Sequence, residues 1–270
     1  MGDVHVHFLH NHSDRYTQDY FKGFITAAEC AGLDEIYLLE HTHQFLEFEE
    51  VYAPIKAYSE YQRDWLQRRM TSTIDSYLNF IETVKGRKYL IKVKFGLEVC
   101  YIPETSDILA RILTGYNNFD FLTGSIHWID GWGFDHPNKK ELWCGLDINK
   151  IYHRYYDIMF ELCKSDLFTG LAHPDSIKCF GYTPTYDMTD TYIELAILLN
   201  KHGLYVENSG GLRLNYSPSL ELGMNKQMLE ILKQYGVTIY TASDAHKQND
   251  VGTNIRELEK MLKYYNIFII

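Results

Sequence analysis

The sequence predicts an α/β fold in which parallel strands form a closed or nearly closed (β/α) barrel. Short apolar runs alternate seven times with longer stretches of helical periodicity, the pattern of parallel strands joined by crossover helices. Nearly every apolar run ends in His, Asp or Glu. An open doubly wound sheet would spread these polar residues along a line, whereas a barrel gathers them at one face, which favours the barrel.

The predicted strands are Asp3–His7, Glu35–Glu40, Lys92–Glu98, Phe121–Ile126, Gly170–His173, Tyr205–Glu207 and Thr238–Ala242. The predicted helices lie near Gln18–Ala31, Ser59–Lys85, Asp107–Thr114, Ile148–Lys164, Thr189–Lys201, Asn225–Tyr235 and Asn254–Tyr264. No low-complexity segment, internal repeat or linker rich in Pro, Gly or Ser interrupts this alternation. We therefore expect one domain over residues 1–270.

The composition limits the classes of function. Hydrophobic residues make up 46% of the 270 residues, and no apolar stretch approaches the roughly 20 residues that span a bilayer. The chain starts without a basic region followed by an apolar one, and its five cysteines are scattered, so we expect a cytoplasmic protein without a membrane association. The formal charge of -10 argues against nucleic acid as a partner, because phosphate backbones require clustered Lys and Arg.

Six of the twelve histidines lie at or just after the ends of the apolar runs: His5, His7, His41, His127, His173 and His246. One histidine in such a place would more often be structural. Six of them, together with Glu98 and Asp244, would be costly to bury without a partner, and cations supply that partner.

The pair His5 and His7 has the spacing of two, which directs both imidazoles to one side of a strand. Imidazoles mixed with carboxylates suit zinc, manganese or iron better than magnesium or calcium. Two or three such ions close together are typical of phosphoester hydrolysis, where they activate water and neutralise phosphate oxygens. The residues therefore predict a metal-dependent phosphoesterase.

These residues fall in motifs that resemble the polymerase and histidinol phosphatase (PHP) superfamily, and within it the histidinol-phosphate phosphatases. The motifs are Asp3-Val-His5-Val-His7, Glu40-His41, Gly96-Leu-Glu98, Gly124-Ser-Ile-His127, Leu171-Ala-His173-Pro-Asp and Ser243-Asp244-Ala-His246. Three further segments favour the phosphatase branch: Gly133-Phe-Asp135-His136-Pro137, Phe180-Gly181 and Asn208-Ser-Gly-Gly-Leu-Arg213.

The resemblance implies a distorted seven-stranded (β/α) barrel with up to three metals at the carboxyl ends of its strands. It places His5, His7, Glu98 and Asp244 around a first metal, and Glu98, His127 and His173 around a second. It also places His41, His246 and a histidine of the first loop around a third. The family puts that last histidine at a position that is Ser13 here, so His12, one residue earlier, is favoured over His10.

The resemblance further implies hydrolysis of L-histidinol phosphate to L-histidinol and phosphate, a step of histidine biosynthesis. A hydroxide that bridges the metals would attack phosphorus, with Glu98, Asp244 and His246 as the catalytic groups. Candidate substrate contacts, each of which could instead be structural, are Arg213, Asn208, Glu207 and His136.

Three alternatives stay open, and the sequence leaves the oligomeric state undecided. The first is a PHP phosphoesterase that acts on another small monoester or a nucleotide. The second is a metal-binding module without catalytic activity. The third is an amidohydrolase-like enzyme, which the absence of a lysine at the strand ends disfavours.

Overall fold

Seven parallel strands form the predicted barrel in the computed structural model, which describes residues 1–8 and 16–264. The nine strands of the described chain are β1 (Gly2–His7), β2 (Glu35–His41), β3 (Lys92–Cys100), β4 (Phe121–Ser125), β5 (Trp128–Ile129), β6 (Trp132–Gly133), β7 (Gly170–Leu171), β8 (Tyr205–Ser209) and β9 (Ile239–Ala242). The main sheet has the order β1-β2-β3-β4-β7-β8-β9, and β5 pairs with β6 in a small antiparallel hairpin that the sequence did not predict.

The sheet nearly closes because β1 also bonds to the chain that follows β9. The His7 amide donates to the carbonyl of Ala245 over 2.8 Å, and the Asp244 amide donates to the carbonyl of His5 over 3.0 Å. Val6 and Ala245 form a parallel bridge at the same place. These bonds confirm the barrel and exclude an open sheet.

The helices of the described chain are α1 (Gln18–Ala31), α2 (Ala53–Tyr58), α3 (Glu60–Arg69), α4 (Ile74–Val84), α5 (Ser106–Gly115), α6 (Ile148–Lys164), α7 (Thr189–Lys201), α8 (Gly211–Asn215), α9 (Lys226–Gln234) and α10 (Ile255–Tyr264). Short 3-10 helices lie at Thr42–Gln44, Leu46–Phe48, Pro103–Thr105, Pro137–Trp143, Ser176–Lys178 and Gln248–Asp250. None of the helices in the described ranges is long and apolar enough to cross a membrane.

The single helix predicted over Ser59–Lys85 is wrong, because the chain forms α3 and α4 there with a break between them. At the break, the amides of Thr71 and Ser72 donate to the carbonyl of Gln44. Thr73 then caps α4, since its hydroxyl accepts a hydrogen bond from the Ser76 amide over 3.2 Å. Tertiary bonds to the segment after β2 thus override the helical periodicity. Helices α2 and α8 were also not predicted.

The lower end of the barrel interior is filled by a small apolar group that we call the lower cluster: Val4, Tyr37, Leu39, Phe121 and Ala242, with Tyr240 packed against it. A Cβ atom at Gly96 would lie 2.4 Å from the Phe121 carbonyl oxygen and 2.7 Å from its ring. A glycine is therefore required where the Phe121 ring enters the barrel. The much larger cluster between the sheet and the helices forms the main core.

Candidate metal centre

A bulge in β1 turns both of its histidines into the barrel. Asp3 pairs with Ile36 and Val6 pairs with Leu38, so β1 contains one extra residue relative to β2 between these two pairs. On a regular strand, Val4 and Val6 would point to the same face because they are two positions apart. Here Val4 belongs to the lower cluster inside the barrel, while Val6 packs outside it. His5 and His7 are fully buried, and their Nε2 atoms lie 3.1 Å apart.

Four side chains surround one point near the top of β1. The His5 Nε2 and His7 Nε2 atoms lie 3.5 and 3.3 Å from Glu98 Oε2, and 3.7 and 3.5 Å from Asp244 Oδ1. Ligand atoms around a tetrahedral zinc ion stand about 3.3 Å apart, given bond lengths of about 2.0–2.2 Å. The observed separations therefore fit four ligands of one ion.

The other oxygen of Glu98 faces a second pair of histidines. Glu98 Oε1 lies 2.9 Å from His127 Nε2 and 3.0 Å from His173 Nε2. Glu98 Oε2 is buried and makes no hydrogen bond among the described residues, although the His41 Nδ1 atom is only 2.7 Å away. This carboxylate thus has nitrogen atoms around both oxygens, the position of a ligand that bridges two cations.

The third group of histidines is partly described. The ring of His7 stacks on His41 with centroids 4.0 Å apart and on His246 with centroids 4.3 Å apart. One nitrogen of each of these three rings lies within 4.8 Å of the others. The remaining predicted ligand of this group, His12 or His10, lies outside the described residues. We call the eight described side chains the metal centre: His5, His7, His41, Glu98, His127, His173, Asp244 and His246.

Carboxylates outside the metal centre contact two of its imidazoles at Nδ1, the ring nitrogen that faces away from the centre. His5 Nδ1 lies 2.9 Å from Glu207 Oε2, and His127 Nδ1 lies 2.6 Å from Asp135 Oδ2. A carboxylate in this position fixes the tautomer, so the Nε2 lone pair points toward the centre. Glu207 also accepts a hydrogen bond from the His173 amide over 3.3 Å, which ties β8 to the end of β7.

The carboxylates of the centre are held ionised by their histidines. Burial by itself would raise the pKa of Glu98, but His41, His5 and His127 lower it well below the usual value. Burial likewise opposes the ionisation of Asp244, whose pKa is nevertheless lowered, chiefly by His246. Burial lowers the pKa of His127, but Asp135 and Glu98 outweigh it and raise the pKa to about 10. The negative charges of Glu98 and Asp244 therefore suit the centre to bind cations.

Two members of the centre have unusual backbone conformations. His173 has φ of 25° and Asp244 has φ of 58°, in the left-handed region that non-glycine residues rarely occupy. Such conformations cost of order 1–3 kcal/mol each and persist where the surrounding structure imposes them. Here each residue lies two positions after the last residue of a barrel strand, and the turn directs its side chain to the centre.

The four predicted substrate contacts lie in different surroundings. Glu207 is buried on His5, and His136 lines a cavity beside the centre. Asn208 is fully buried, and its side-chain oxygen accepts a hydrogen bond from the Met224 amide over 2.8 Å. Arg213 lies on α8, where its Nε atom donates to the carbonyl of Leu220 over 3.1 Å. The structure therefore does not bring Asn208 and Arg213 into that cavity.

Sequence reasoning missed other residues beside the centre. Asp135 was noticed only as part of a motif, and its contact with His127 could have been inferred from its place eight residues after that histidine. Trp65 and Arg69 line the cavity beside the centre, but they lie in the segment that was predicted as one long helix. No sequence signal distinguishes them from other residues of an amphipathic helix.

Comparison with known proteins agrees with this geometry. The family model named PHP domain matches residues 3–209. A probable histidinol-phosphatase of Deinococcus radiodurans is 26% identical over 216 residues, which cover 75% of this chain and 76% of the relative. The histidinol-phosphatase of Bacillus subtilis is 25% identical over 202 residues, which cover 67% of this chain and 74% of the relative.

A solved structure shares the fold. It is the histidinol phosphate phosphatase of Lactococcus lactis in complex with zinc, L-histidinol and phosphate, at 19% sequence identity. The superposition has a TM-score of 0.72 and covers 99% of this chain and 94% of that one. The two chains therefore have the same barrel over nearly their whole length.

Proposed function

Because the chain belongs to the PHP domain family, we propose that it is a metal-dependent phosphatase that hydrolyses L-histidinol phosphate to L-histidinol and phosphate. The observation that carries the proposal is the position of Glu98, whose two oxygens face different groups of histidines at the top of the barrel. The names of the Deinococcus radiodurans and Bacillus subtilis relatives support the choice of substrate.

The proposed cofactors are two or three divalent ions of zinc, manganese or iron. His5, His7, Glu98 and Asp244 would hold the first, and Glu98, His127 and His173 the second. His41 and His246 would hold the third together with His12. When bound, such ions supply an activated water and neutralise the charge on phosphate oxygens.

Two side chains beside the cavity, Asp244 and His246, would orient the attacking water and accept its proton. Asp244 lines the cavity beside the centre, and its Oδ2 atom accepts a hydrogen bond from the side chain of Asn215 over 3.0 Å. Because Asp244 is ionised, it can accept a hydrogen bond from the attacking water and direct it. His246 lies beside it, with Nδ1 3.0 Å from the Asp244 carbonyl, so its Nε2 would hold the third ion or, in a two-metal enzyme, be the second candidate for the proton.

The experiment is an assay of phosphate release by the metal-loaded protein with metals counted by elemental analysis. The substrates are histidinol phosphate, ethanolamine phosphate, glycerol phosphate and a set of nucleotides. We expect two or three ions per chain and the highest kcat/KM with histidinol phosphate. Equal rates over the panel would contradict the substrate, and a protein without metal would contradict the whole proposal.

A pair of variants links the activity to the centre. His127→Ala removes one nitrogen ligand, whereas His153→Ala removes an exposed histidine that stacks on Tyr186, away from the centre. We expect the first variant to lose metal and activity together and the second to keep both. Loss of activity in both variants would show that the assay reports general damage.

A further inference from the structure

A cavity of about 410 Å³ opens beside the metal centre, and one of its walls contains none of the predicted ligands. We call this the aromatic wall and define it by Trp65, Arg69, Trp128 and His136. The carboxylates that line the same cavity, Glu98, Asp135 and Asp244, belong to the metal centre or touch it. For a phosphate ester with its phosphate at the metal centre, the aromatic wall lies within the same cavity and offers a surface for the organic part.

The wall is held together by Gln62 of α3. Its side-chain nitrogen donates to the carbonyl of Gly131 over 2.7 Å, and its side-chain oxygen accepts from the amide of Gly133 over 2.8 Å. This buried clamp fixes α3 on the β5–β6 hairpin, which carries Trp128. A Cβ atom at Gly133 would lie 2.4 Å from the His136 ring, so this glycine makes the room for that ring.

The chemistry of the wall suits a flat ring. The Trp65 ring is only half-buried, and it meets His136 edge to face at 5.0 Å and His43 at 4.8 Å. The Nε2 atom of His136, which is 8% exposed, has no hydrogen-bond partner within the described part of the chain. Trp and His faces stack favourably on other aromatic rings.

Arg69 gives this wall a hydrogen-bond donor. Its guanidinium lies over Trp65 with Cζ 5.3 Å from the ring centroid. Among residues 1–8 and 16–264, no carboxylate forms an ion pair with it, and burial lowers its pKa. Within the described residues its guanidinium also donates no hydrogen bond, so its N–H groups are available to a ligand in the cavity.

We propose that the aromatic wall determines specificity by binding the neutral imidazole ring of the substrate. The ring stacks on Trp65, and its unprotonated nitrogen accepts a hydrogen bond from Arg69. The identity of the ring rests on the proposed function. A cationic group at this place would be repelled by Arg69, and a saturated alcohol would leave the guanidinium without an acceptor.

The test compares two esters that share an aminoalkyl phosphate but differ in the ring. Histidinol phosphate carries the imidazole, and ethanolamine phosphate lacks it. We expect Trp65→Leu and Arg69→Gln each to lower the ratio of their kcat/KM values about tenfold, the effect of one lost ring contact or hydrogen bond. Trp65→Phe should restore most of the ratio. Arg68→Gln, the same change of charge at the exposed neighbour on α3, should leave the ratio as in the wild type.

A binding measurement separates this proposal from the proposed function. L-histidinol is titrated by calorimetry into the zinc-loaded proteins, which requires no turnover. Weaker binding to Trp65→Leu and Arg69→Gln than to the wild type supports the aromatic wall, even if histidinol phosphate is a poor substrate. Equal binding to all variants, or an equal loss of kcat/KM for both esters, would overturn it.

Discussion

The two ends of the barrel interior share four strands and have opposite chemistry. At the lower end β1, β2, β4 and β9 contribute apolar and aromatic side chains that pack against one another. At the upper end the same strands, or the residues that follow them, contribute imidazoles and carboxylates. Along one strand, side chains whose burial favours folding therefore lie only a few residues from side chains whose burial opposes folding. The second group becomes favourable to bury when a cation is bound.

This difference separates stability from function along the barrel axis. Apolar burial stabilises the fold by about 25 cal/mol per Å² whatever the metal content, and this contribution comes from the lower cluster and the outer core. The metal centre contributes to stability only through its ions, since its histidines and carboxylates are otherwise costly to bury. Changes at the two ends should therefore have separable effects on activity and on unfolding.

The largest effect is expected from Glu98→Gln at the upper end. The substitution removes the negative charge that faces both groups of histidines, so kcat/KM should fall about a thousandfold or more. Elemental analysis should show that ions are lost from the chain. The metal-free protein should still unfold cooperatively in circular dichroism, because the lower cluster is unchanged.

The matched control is Glu104→Gln, an exposed glutamate on the 3-10 helix before α5. It makes the same chemical change at an exposed side chain that is not part of the metal centre, and it should keep the metal content and the rate. Full activity of Glu98→Gln would refute the bridging role of this carboxylate.

The opposite result is expected at the lower end from Phe121→Ala. The variant opens a cavity where the ring packs against Gly96, and the free energy of unfolding should fall by about 3–5 kcal/mol. Chemical denaturation measures this loss. The metal content and the rate of the molecules that stay folded should change little, and Phe160→Ala on the partly exposed face of α6 should cost much less stability. A variant that lost its metals before it lost stability would break the separation of the two ends.

The upper end could be predicted from the sequence and the lower end could not. The predicted ligands are chemically distinct, and each follows an apolar run, so His41, Glu98 and His173 stand out in the sequence. The lower cluster uses Tyr37 and Phe121, residue types that occur throughout this chain, and only the strand register shows that they meet. The bulge in β1 has no sequence signal at all, yet it decides that both His5 and His7 face the interior.

A smaller effect is expected from Asp135→Asn, because Asp135 is not a predicted metal ligand and contacts the metal centre only through His127. The amide can still fill the space but no longer offers a charged partner to His127 Nδ1, 2.6 Å away. Metal affinity at the site of His127 and His173 should fall about 10- to 100-fold, whereas the site at His5 and His7 should keep its ion. Competition with a zinc chelator measures both affinities.

Asp130→Asn is the control for this variant. Asp130 lies, like Asp135, in the segment between β4 and α6, and it pairs with Arg154 on the surface. It should leave both affinities unchanged. An equal loss at both sites in Asp135→Asn would mean that the carboxylate supports the whole loop and not one imidazole.

The smallest effect is expected at the rim of the upper end, from Arg213→Ala. Nε of Arg213 donates to the Leu220 carbonyl, and the side chain does not line the cavity beside the centre, so this variant tests whether the end of the guanidinium nevertheless binds phosphate oxygens, as the sequence predicted. The KM for histidinol phosphate should then rise about tenfold, the cost of one charged hydrogen bond, while the metal content stays constant. Arg111→Ala, an exposed arginine on α5, controls for the loss of charge. If KM did not change, Arg213 would only tie α8 to the following loop, and the rim would contribute to the fold as the lower cluster does.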